Sequence, residues 1–398
     1  MAERVGPRGR GLQGSSDMKV VYIDQTGQLG GGELSLLDWL AAVRRKTRVL
    51  LFEDGPFRER LEAIGEIVEV IPVSGILSIR RGASPLSLLK AIPAVWTLRN
   101  RLRQAFGDAD VLYANSQKAF QLAALAMRRG QHLIWHLRDL LTPEHFNPIL
   151  IRMAVIAGNR YAKLILVNSR ATGEAFVAAG GRRDKLRLIP DGIDPAPFDA
   201  VDREYCARMR RDLAPSASFV IGLFGRLAYW KGQHVLLEAC AALPDVNICL
   251  VGDALFGESE YAEQLRKRAG QPDLTGRVHF LGFRKDIPEL MTAMDLVVHT
   301  SVSAEPLGRV IIEAMMARRP VIATRAGGAA EIVEEGISGL MVSPDSADEL
   351  RSAIVRMHTD APLRNRLAQR GRIRAESAYS LSMMVEKAQK AIQEAATP

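Results

Sequence analysis

Short apolar runs alternate with longer amphipathic stretches along most of the chain. Runs of four to eight mainly apolar residues indicate strands buried on both faces, and helical spacing between them indicates crossover helices. This alternation, in both halves of the chain, predicts two doubly wound α/β domains whose parallel sheets face a cleft. The predicted strands are 18–24, 48–52, 67–73, 110–115, 132–136, 164–169, 219–224, 246–251, 278–282, 295–300 and 321–324.

Proline and glycine mark the boundary between the two halves. Residues 188–198 contain three prolines and one glycine after an apolar strand, which is typical of a hinge or linker. We therefore expect a disordered tail at 1–17, an N-terminal domain at 18–190, a C-terminal domain at 191–375 and a last helical segment at 376–398. The tail is rich in Gly, Arg and Ser and has no apolar core, so it does not resemble a signal peptide.

The charge balance narrows the class of partner. The 398 residues carry a formal net charge of +8, which suits anionic partners such as phosphorylated substrates or membrane surfaces. No basic motif interleaved with aromatic residues points to nucleic acid. No apolar segment approaches the ~18 residues of a membrane span. The three cysteines have no metal-like spacing and fit a reducing compartment.

A strand followed by a helix near residue 310 contains two glutamates. We predict that Pro306 lies in the first turn of this helix and that Glu305 lies just before it, beside its positive end. Glu313 lies inside the helix on a largely apolar face, where an unpartnered carboxylate is costly. It either pairs with Arg309, four residues back, or accepts hydrogen bonds from a ligand's diol. The spacing leaves both interpretations open.

Two glycine-containing loops lie between a strand and a helix. The first, with Gly31 and Gly32, allows a ligand to approach backbone amides, although it lacks the G-x-G-x-x-G spacing of a dinucleotide site. The second contains Arg226 and Lys231 and ends at Gly232 before a helix. Two cations at the positive end of a helix predict a pyrophosphate site. The alternatives are a simple chain reversal for the first loop and solvent-facing charges for the second.

Polar residues also follow the predicted strand 132–136. His136 lies where this strand opens toward the cleft, and a lone histidine there is either a structural residue or a ligand contact. Asp108 and Asp110 match a D-x-D metal-binding signature. They precede a strand, on the side away from the strand ends where α/β proteins bind ligands, so we predict no metal site.

Several of these stretches together resemble a known family. The pair Glu305 and Glu313 resembles the E-x7-E motif of retaining GT-B glycosyltransferases of family 4, the group 1 glycosyl transferases. Similar motifs are E-P-L-G at 305–308, G-G-A-A-E at 327–331, G-R-x4-K-G at 225–232, I-P-D-G-I-D at 189–194 and V-N-S-R-A-T at 167–172. Leu307 replaces the usual Phe, and Asp191 replaces the usual Asn.

The resemblance implies a GT-B fold with two Rossmann-like domains and a final helix that crosses back to the first. It implies a cytoplasmic, retaining hexosyltransferase that needs neither a metal ion nor a cofactor. Such an enzyme would use a UDP- or GDP-sugar as the donor and a glycan or lipid-linked saccharide as the acceptor. The implied catalytic residues are His136, Arg226, Lys231 and Glu305. The implied donor-binding residues are Gly31, Gly32, Gly252, Phe283, Leu307, Gly308 and Glu313, and the implied acceptor-binding residues are Arg138 and Asp139.

Three further interpretations remain open. The basic, apolar segment 76–106 is either an amphipathic core helix interrupted at Pro93 or a surface that docks on anionic lipid at the inner face of the membrane. A GT-B phosphorylase or a sugar-nucleotide epimerase would carry similar motifs. A non-catalytic nucleotide-sugar-binding or membrane scaffold protein is the alternative from another class, although the complete set of Arg226, Lys231, Glu305 and Glu313 argues against it.

Overall fold

A computed structural model describes residues 18–73, 85–214, 219–254 and 257–397, and the side chains of 85–94 are not part of that description. The tail predicted at 1–17 lies outside the described residues. Two parallel sheets, each covered by helices on both faces, form two α/β domains. The predicted α/β class is confirmed.

The first sheet has seven strands in the order β3-β2-β1-β4-β5-β6-β7, all paired in parallel. Its central strand β4 is buried along its whole length, as a strand covered on both faces must be. The strands are β1 (Val20–Asp24), β2 (Arg48–Leu51), β3 (Ile67–Val70), β4 (Val111–Ala114), β5 (His132–Leu137), β6 (Ala162–Val167) and β7 (Leu186–Leu188).

Helices cover both faces of this sheet. One face, with α3, α4 and α5, packs around Phe120 and Trp135, whose rings stack 4.4 Å apart. The other face includes α1 and α2. The helices up to the linker are α1 (Gly31–Val43), α2 (Pro56–Ala63), α3 (Pro85–Phe106), α4 (Gln117–Ala126), α5 (Pro148–Tyr161) and α6 (Arg170–Ala178).

The second sheet has six parallel strands in the order β10-β9-β8-β11-β12-β13. Its strands are β8 (Phe219–Phe224), β9 (Val246–Val251), β10 (Val278–Gly282), β11 (Leu296–His299), β12 (Val321–Thr324) and β13 (Leu340–Val342). The remaining helices are α7 (Ala196–Asp199), α8 (Arg203–Leu213), α9 (Gln233–Cys240), α10 (Ser259–Ala269), α11 (Ile287–Ala293), α12 (Arg309–Met316), α13 (Ala329–Ile332), α14 (Ala347–Thr359), α15 (Ala361–Ala378) and α16 (Leu381–Ala396).

The last helix packs on the first sheet rather than on the second. Met384, Ala388 and Ile392 of α16 are buried together with residues of α1 and of the first sheet. At the start of this helix, the amide of Leu381 donates to the carbonyl of Ile193 in the linker. The linker and the chain end therefore cross between the domains side by side.

Two predictions about prolines are wrong. Pro306 does not lie in the first turn of α12, because the helix begins at Arg309 after Gly308, whose φ of 98° is left-handed. The intervening residues form a loop, which places Glu305 further from the helix than expected. Helix α3 continues through Pro93 without the predicted interruption.

Candidate active site

The chemistry-bearing residues gather where the strands of both sheets end. In a doubly wound fold, ligands bind at this carboxyl edge. Asp24 ends β1, His299 ends β11, and His136 is the penultimate residue of β5. All three side chains are buried.

Glu305 is the centre of a polar cluster in the second domain. The Lys231 ammonium donates to both carboxylate oxygens of Glu305, at 2.7 and 2.8 Å. His299 Nε2 lies 2.9 Å from Oε1, and the Ser301 hydroxyl donates to the same oxygen. We call Glu305, Lys231, His299 and Ser301 the Glu305 cluster. It joins the loops that follow the neighbouring strands β8 and β11.

Electrostatics keep Glu305 ionised although it is buried. Burial alone would raise the pKa of Glu305, but the attraction of Lys231 and His299 outweighs it and holds that pKa well below its usual range. With four donors on its two oxygens, this carboxylate is a fixed anion. Its geometry suits the positioning of Lys231 better than attack on a sugar.

The loop that carries Lys231 depends on a glycine at its end. Gly232 has a φ of 68°, and a Cβ there would lie 2.0 Å from the carbonyl oxygen of Thr300. The Thr300 hydroxyl donates to the carbonyls of Lys231 and Gly232, each at 2.9 Å. This close approach brings Lys231 to Glu305. The lysine ammonium also lies 4.4 Å from the ring centre of Trp230, and the Arg226 guanidinium lies 5.8 Å from it.

Glu313 pairs with Arg309, as one of the two interpretations predicted. Arg309 Nε donates to Glu313 Oε1 at 2.8 Å, and Arg309 Nη2 donates to Asp38 on α1 at 2.6 Å. This salt bridge therefore crosses from the second domain to the first. Burial raises the pKa of Glu313, and Arg309 counteracts this only in part. Among the described residues, Glu313 Oε2 accepts no hydrogen bond.

Other contacts across the cleft touch the same region. His145 Nε2 lies 3.1 Å from the carbonyl oxygen of Ala304, next to Glu305. The Glu331 carboxylate accepts from the amides of Arg170 and Ala171, at 3.0 and 2.7 Å, in the first turn of α6. An acid at the amino end of a helix is favourable because the free amides and the helix dipole attract it. These contacts hold the first domain against the loops around Glu305.

A second polar cluster lies at the carboxyl edge of the first sheet. Arg138 Nη1 donates to Asp191 Oδ1 at 2.5 Å, Nε donates to Asn115 Oδ1 at 2.9 Å, and Nη2 donates to the Ser35 hydroxyl at 3.2 Å. Asn115 Nδ2 donates in turn to Asp24 Oδ2 at 2.6 Å. We call Arg138, Asp191, Asn115, Ser35 and Asp24 the Arg138 cluster. It joins the ends of β1, β4 and β5 to the linker.

The two carboxylates of the Arg138 cluster titrate differently. Asp24 is fully buried, and burial followed by repulsion from Glu33 raises its pKa to about 7. Burial acts on Asp191 in the same direction, but the Arg138 guanidinium outweighs it and lowers the pKa of Asp191. Asp139, the other residue expected near the acceptor, has a pKa raised by burial and by Glu33. The Arg138 guanidinium therefore favours the ionised form of Asp191, whereas burial favours the protonated form of Asp24.

His136 lies beside this cluster with its ring almost wholly enclosed. Its Nδ1 shares a hydrogen bond with the Tyr113 hydroxyl, and its buried Nε2 has no partner among the described residues. Burial and the nearby Arg138 guanidinium lower the pKa of His136 well below its usual value. The imidazole is therefore neutral, and its buried Nε2 has unused hydrogen-bonding capacity.

The glycines and loop residues that were predicted to bind the donor differ in their exposure and in their neighbours. Gly31 is exposed at the start of α1, and a Cβ on Gly32 would lie 3.0 Å from Arg138 Cδ. A Cβ on Gly252 would lie 2.2 Å from the carbonyl oxygen of Gly225, so this glycine packs against the loop that carries Arg226 and Lys231. Leu307 is buried in the core, whereas Phe283 is 60% exposed. Gly308 precedes α12 and lies near His299.

The D-x-D aspartates have an ordinary structural role. Asp108 accepts from the Lys19 ammonium, and Asp110 accepts from the Lys19 amide at 2.8 Å. Within the ranges that the structure describes, no three His, Cys, Asp or Glu side chains lie together in a way that could hold a metal ion. Across those same ranges, no helix has the length and apolar character needed to cross a membrane.

Sequence reasoning missed several residues of both clusters. His299 ends a buried strand just as His136 does near the end of β5, so the argument made for one histidine applied equally to the other. Ser301, Asn115 and Asp24 carried no motif, and only the fold brings them to their partners. Asp191 was read as a substitution in a linker motif rather than as the ion-pair partner of Arg138.

Family comparisons agree with this geometry in both domains. The sequence model described as "Glycosyl transferases group 1" matches residues 208–374. The model described as "Glycosyl transferase 4-like domain" matches residues 30–192. Together, the two matches include the whole Glu305 cluster and, except for Asp24, the Arg138 cluster.

Among solved structures, the Anabaena protein Alr3699/HepE in complex with UDP and glucose aligns with a TM-score of 0.84 and 37% identity, covering 94% of this chain and 99% of that one. The Rhizobium meliloti lipopolysaccharide core biosynthesis glycosyltransferase LpsE is 34% identical over 53% of this chain and 58% of its own length, so that match spans little more than half of the relative. Sucrose-phosphate synthase from Thermosynechococcus elongatus shares the fold at 18% identity, with a TM-score of 0.76 and coverage of 94% and 99%. The chain thus belongs to the group 1 glycosyltransferases with the GT-B fold.

Proposed function

We propose that this glycosyltransferase moves a hexosyl group from a nucleoside-diphosphate sugar to a hydroxyl of a glycan or lipid-linked saccharide, with retention of anomeric configuration and without a metal ion. The observation that carries the proposal is the Lys231–Glu305 ion pair beside the start of α9. Departure of a nucleoside diphosphate places negative charge in the cleft, and fixed cations there stabilise it.

Lys231 is the residue best placed for this task. Two of its three N–H donors go to Glu305, and no hydrogen-bond acceptor for the third is found in the described part of the chain. Because Glu305 fixes the ammonium, little reorganisation is needed when a diphosphate arrives. Arg226, whose guanidinium lies 5.8 Å from the ring centre of Trp230, supplies a second cation to the same loop.

We assign the remaining contacts with the nucleotide-sugar donor to residues near the carboxyl edges of both sheets. We assign Glu313 Oε2 to a ribose hydroxyl, and the backbone around Gly252, Phe283, Leu307 and Gly308 to the nucleotide. Gly31 and Gly32, at the amino end of α1, lie where backbone amides can reach a phosphate or the sugar. His136 Nε2, neutral and without a partner in the described structure, suits a hydroxyl or carbonyl of the transferred sugar.

The proposed reaction replaces one bond at the anomeric carbon by another and transfers one proton. The acceptor oxygen bonds to the anomeric carbon, and the bond from that carbon to the β-phosphate oxygen breaks. The acceptor proton passes to an oxygen of the leaving phosphate, so no protein nucleophile is required. The hydrogen bonding of Glu305 supports this, because its carboxylate already accepts four hydrogen bonds from Lys231, His299 and Ser301.

Among donors, a UDP-sugar is favoured over a GDP-sugar. The support is the 37% identical Anabaena structure, which contains UDP and glucose. We further propose that residues 18–190 bind the acceptor and 191–375 bind the nucleotide sugar, with 376–398 joining the two. Three unpaired, buried cysteines are compatible with a reducing compartment, in keeping with a cytoplasmic location.

A donor panel tests the proposal. The shift in melting temperature is measured with UDP-glucose, UDP-galactose and GDP-mannose, followed by transfer to glycan acceptors in the presence of EDTA. We expect stabilisation by a UDP-sugar and transfer that EDTA leaves intact, giving a product with the donor's anomeric configuration. Sugar 1-phosphate formed from inorganic phosphate would instead indicate a phosphorylase, and binding without turnover would indicate a non-catalytic protein.

A further inference from the structure

Helix α5 exposes an apolar stripe on the outside of the first domain. Ile149, Met153 and Ile156 are 70%, 58% and 58% exposed, and they are spaced i, i+4 and i+7. Such spacing puts them on one face of the helix. Large exposed apolar side chains gathered on one face mark an interaction site more often than isolated ones do.

The stripe is not the face by which α5 packs on its own domain. That face carries Ile151 and Val155, which are buried in the core beneath the sheet's helices. The helix is therefore apolar on two opposite sides. A helix of that kind is normally covered all round, yet among the described residues nothing covers the outer side.

Neighbouring helices of the same layer also expose apolar side chains, and the charged residues of the three helices are all basic. Trp96 of α3 is 62% exposed, and Leu125 of α4 is also exposed. The sequences of α3, α4 and α5 contain seven Lys and Arg and no Asp or Glu. On the opposite face of the sheet, α1, α2 and α16 all contain acidic residues. The layer formed by α3, α4 and α5 is thus apolar and purely cationic; we call it the α3–α5 face.

The α3–α5 face adjoins the cleft. Helix α5 starts at the carboxyl edge of the sheet, directly after the loop whose His145 contacts the carbonyl of Ala304. Ile149, in the first turn, is therefore at the end of α5 nearest Glu305. A flat partner resting on this face would lie next to the mouth of the active site.

We propose that the α3–α5 face docks on an anionic lipid bilayer, with Ile149, Met153 and Ile156 entering the interface and the basic residues of the layer contacting head groups. An apolar stripe flanked by cations matches the two parts of such a surface, and tryptophan favours the same interfacial zone. The element proposed to enter the bilayer interface is α5, whereas the sequence analysis considered segment 76–106 for lipid docking. That earlier prediction is untested, since residues 74–84 and the side chains of 85–94 lie outside the described structure.

Co-sedimentation with vesicles tests this surface without any turnover. The full chain is mixed with phosphatidylcholine vesicles containing either no phosphatidylglycerol or about a third of it, at low and at high salt. We expect binding only to the anionic vesicles, weakened by salt. The triple variant Ile149→Ser/Met153→Ser/Ile156→Ser should bind at least ~tenfold more weakly. The matched control, Ile337→Ser/Val355→Ser/Ile373→Ser, removes three exposed apolar side chains from the second domain and should bind as the parent does.

Charge is tested separately. Arg152→Glu/Arg160→Glu should abolish the preference for anionic vesicles, whereas Arg356→Glu/Arg370→Glu in the second domain should keep it. UDP release from UDP-glucose in water reports on the active site and should be unchanged in all four variants, because none alters a cleft residue. Failure of the transferase proposal would therefore leave the vesicle result intact.

Three outcomes would overturn the inference. Equal vesicle binding by the α5 triple variant and its control is the first. A dimer in sedimentation velocity that only the α5 variant dissociates would make the stripe a contact between copies of the chain. A lowered melting temperature in the α5 triple variant, with vesicle binding unchanged, would show that the stripe contributes to the stability of the fold and not to membrane binding.

Discussion

The Glu305 cluster and the Arg138 cluster each contain a buried ion pair at the carboxyl edge of a parallel sheet. Their cations differ in the number of residues to which they donate hydrogen bonds. Lys231 makes two hydrogen bonds, both to Glu305. Arg138 spends Nε, Nη1 and Nη2 on Asn115, Asp191 and Ser35. The ammonium of Lys231 is thus held by a single carboxylate, whereas the guanidinium of Arg138 is a strut that joins two strand ends, α1 and the linker.

This difference indicates that the role of a cation near a cleft depends on how many segments of the chain it joins, and not only on its position. We therefore expect substitutions in the Glu305 cluster to affect turnover as well as stability. Substitutions in the Arg138 cluster should affect stability alone. In that case Arg138, predicted to bind the acceptor, acts through the architecture of the first domain.

The largest effect is expected for Lys231→Met. Loss of the ammonium removes charge stabilisation of the leaving diphosphate, so kcat should fall by ~10²–10³-fold. It also leaves Glu305 buried without its cation, which should lower the free energy of unfolding by ~3–5 kcal/mol. The double variant Lys231→Met/Glu305→Gln should recover stability in urea titrations but not kcat. Recovery of both would mean that Lys231 serves the fold only.

Arg138→Met should cost a similar amount of stability and little catalysis. Removal of the guanidinium strands the buried Asp191 carboxylate, so unfolding free energy should drop by ~3–5 kcal/mol. Arg138→Met/Asp191→Asn removes both charges and should regain part of it. The KM for acceptor, measured on folded protein of the double variant, should stay within about threefold of the parent, against the ~tenfold or more expected for loss of a charged hydrogen bond. A tenfold rise would restore Arg138 as an acceptor contact.

Asp24 gives the Arg138 cluster a pH dependence that reaches neutral pH, whereas the lowered pKa of Glu305 makes its own contribution fall only in acid. Its pKa is about 7 in the folded protein against an ordinary value of 3.8, so the folded state holds a proton that the unfolded state releases. The contribution of Asp24 is present below pH 4 and is lost as the pH rises through 7. By linkage, stability relative to the Asp24→Asn variant should fall over that interval by up to ~4 kcal/mol. A constant difference in urea titrations from pH 4 to 8 would contradict the shift.

The smallest effects separate the clusters most cleanly, because each contains one serine whose hydroxyl donates to its carboxylate. Ser301 donates to Glu305, and Ser35 donates to Asp191 at 2.7 Å. Ser301→Ala and Ser35→Ala should each lower the free energy of unfolding by about 1 kcal/mol. Only Ser301→Ala should also lower kcat, since it loosens the anchor of Lys231. Equal kcat values for the two variants would erase the distinction between the clusters.

Much of the fold was readable from the sequence because the signals are local. Apolar runs placed β4, β8 and β9 to within a residue or so, since strands buried on both faces need them. Pro306 misled because proline suits the first turn of a helix and equally suits the loop before it. Pro93 misled because proline normally interrupts a helix, whereas α3 continues across it from Pro85 to Phe106.

The site was predictable only where a motif recorded it. Arg226, Lys231, Glu305 and Glu313 stood in recognisable spacing, but the pairing of Lys231 with Glu305 spans 74 residues and follows only from the adjacency of β8 and β11. The bond between Asn115 and Asp24 spans 91 residues and follows from the adjacency of β1 and β4. Strand order carries this information, and no single stretch of sequence contains it.

The central claim is that protein cations, led by Lys231, neutralise the diphosphate in place of a metal ion. Calorimetric titration of UDP and of uridine into the parent and Lys231→Met/Glu305→Gln, both in EDTA, tests it directly. The account predicts that the parent binds UDP in EDTA and that the variant loses ~tenfold or more in UDP affinity while binding uridine equally well. UDP affinity that survives the substitution, or that vanishes from the parent in EDTA, would contradict the account.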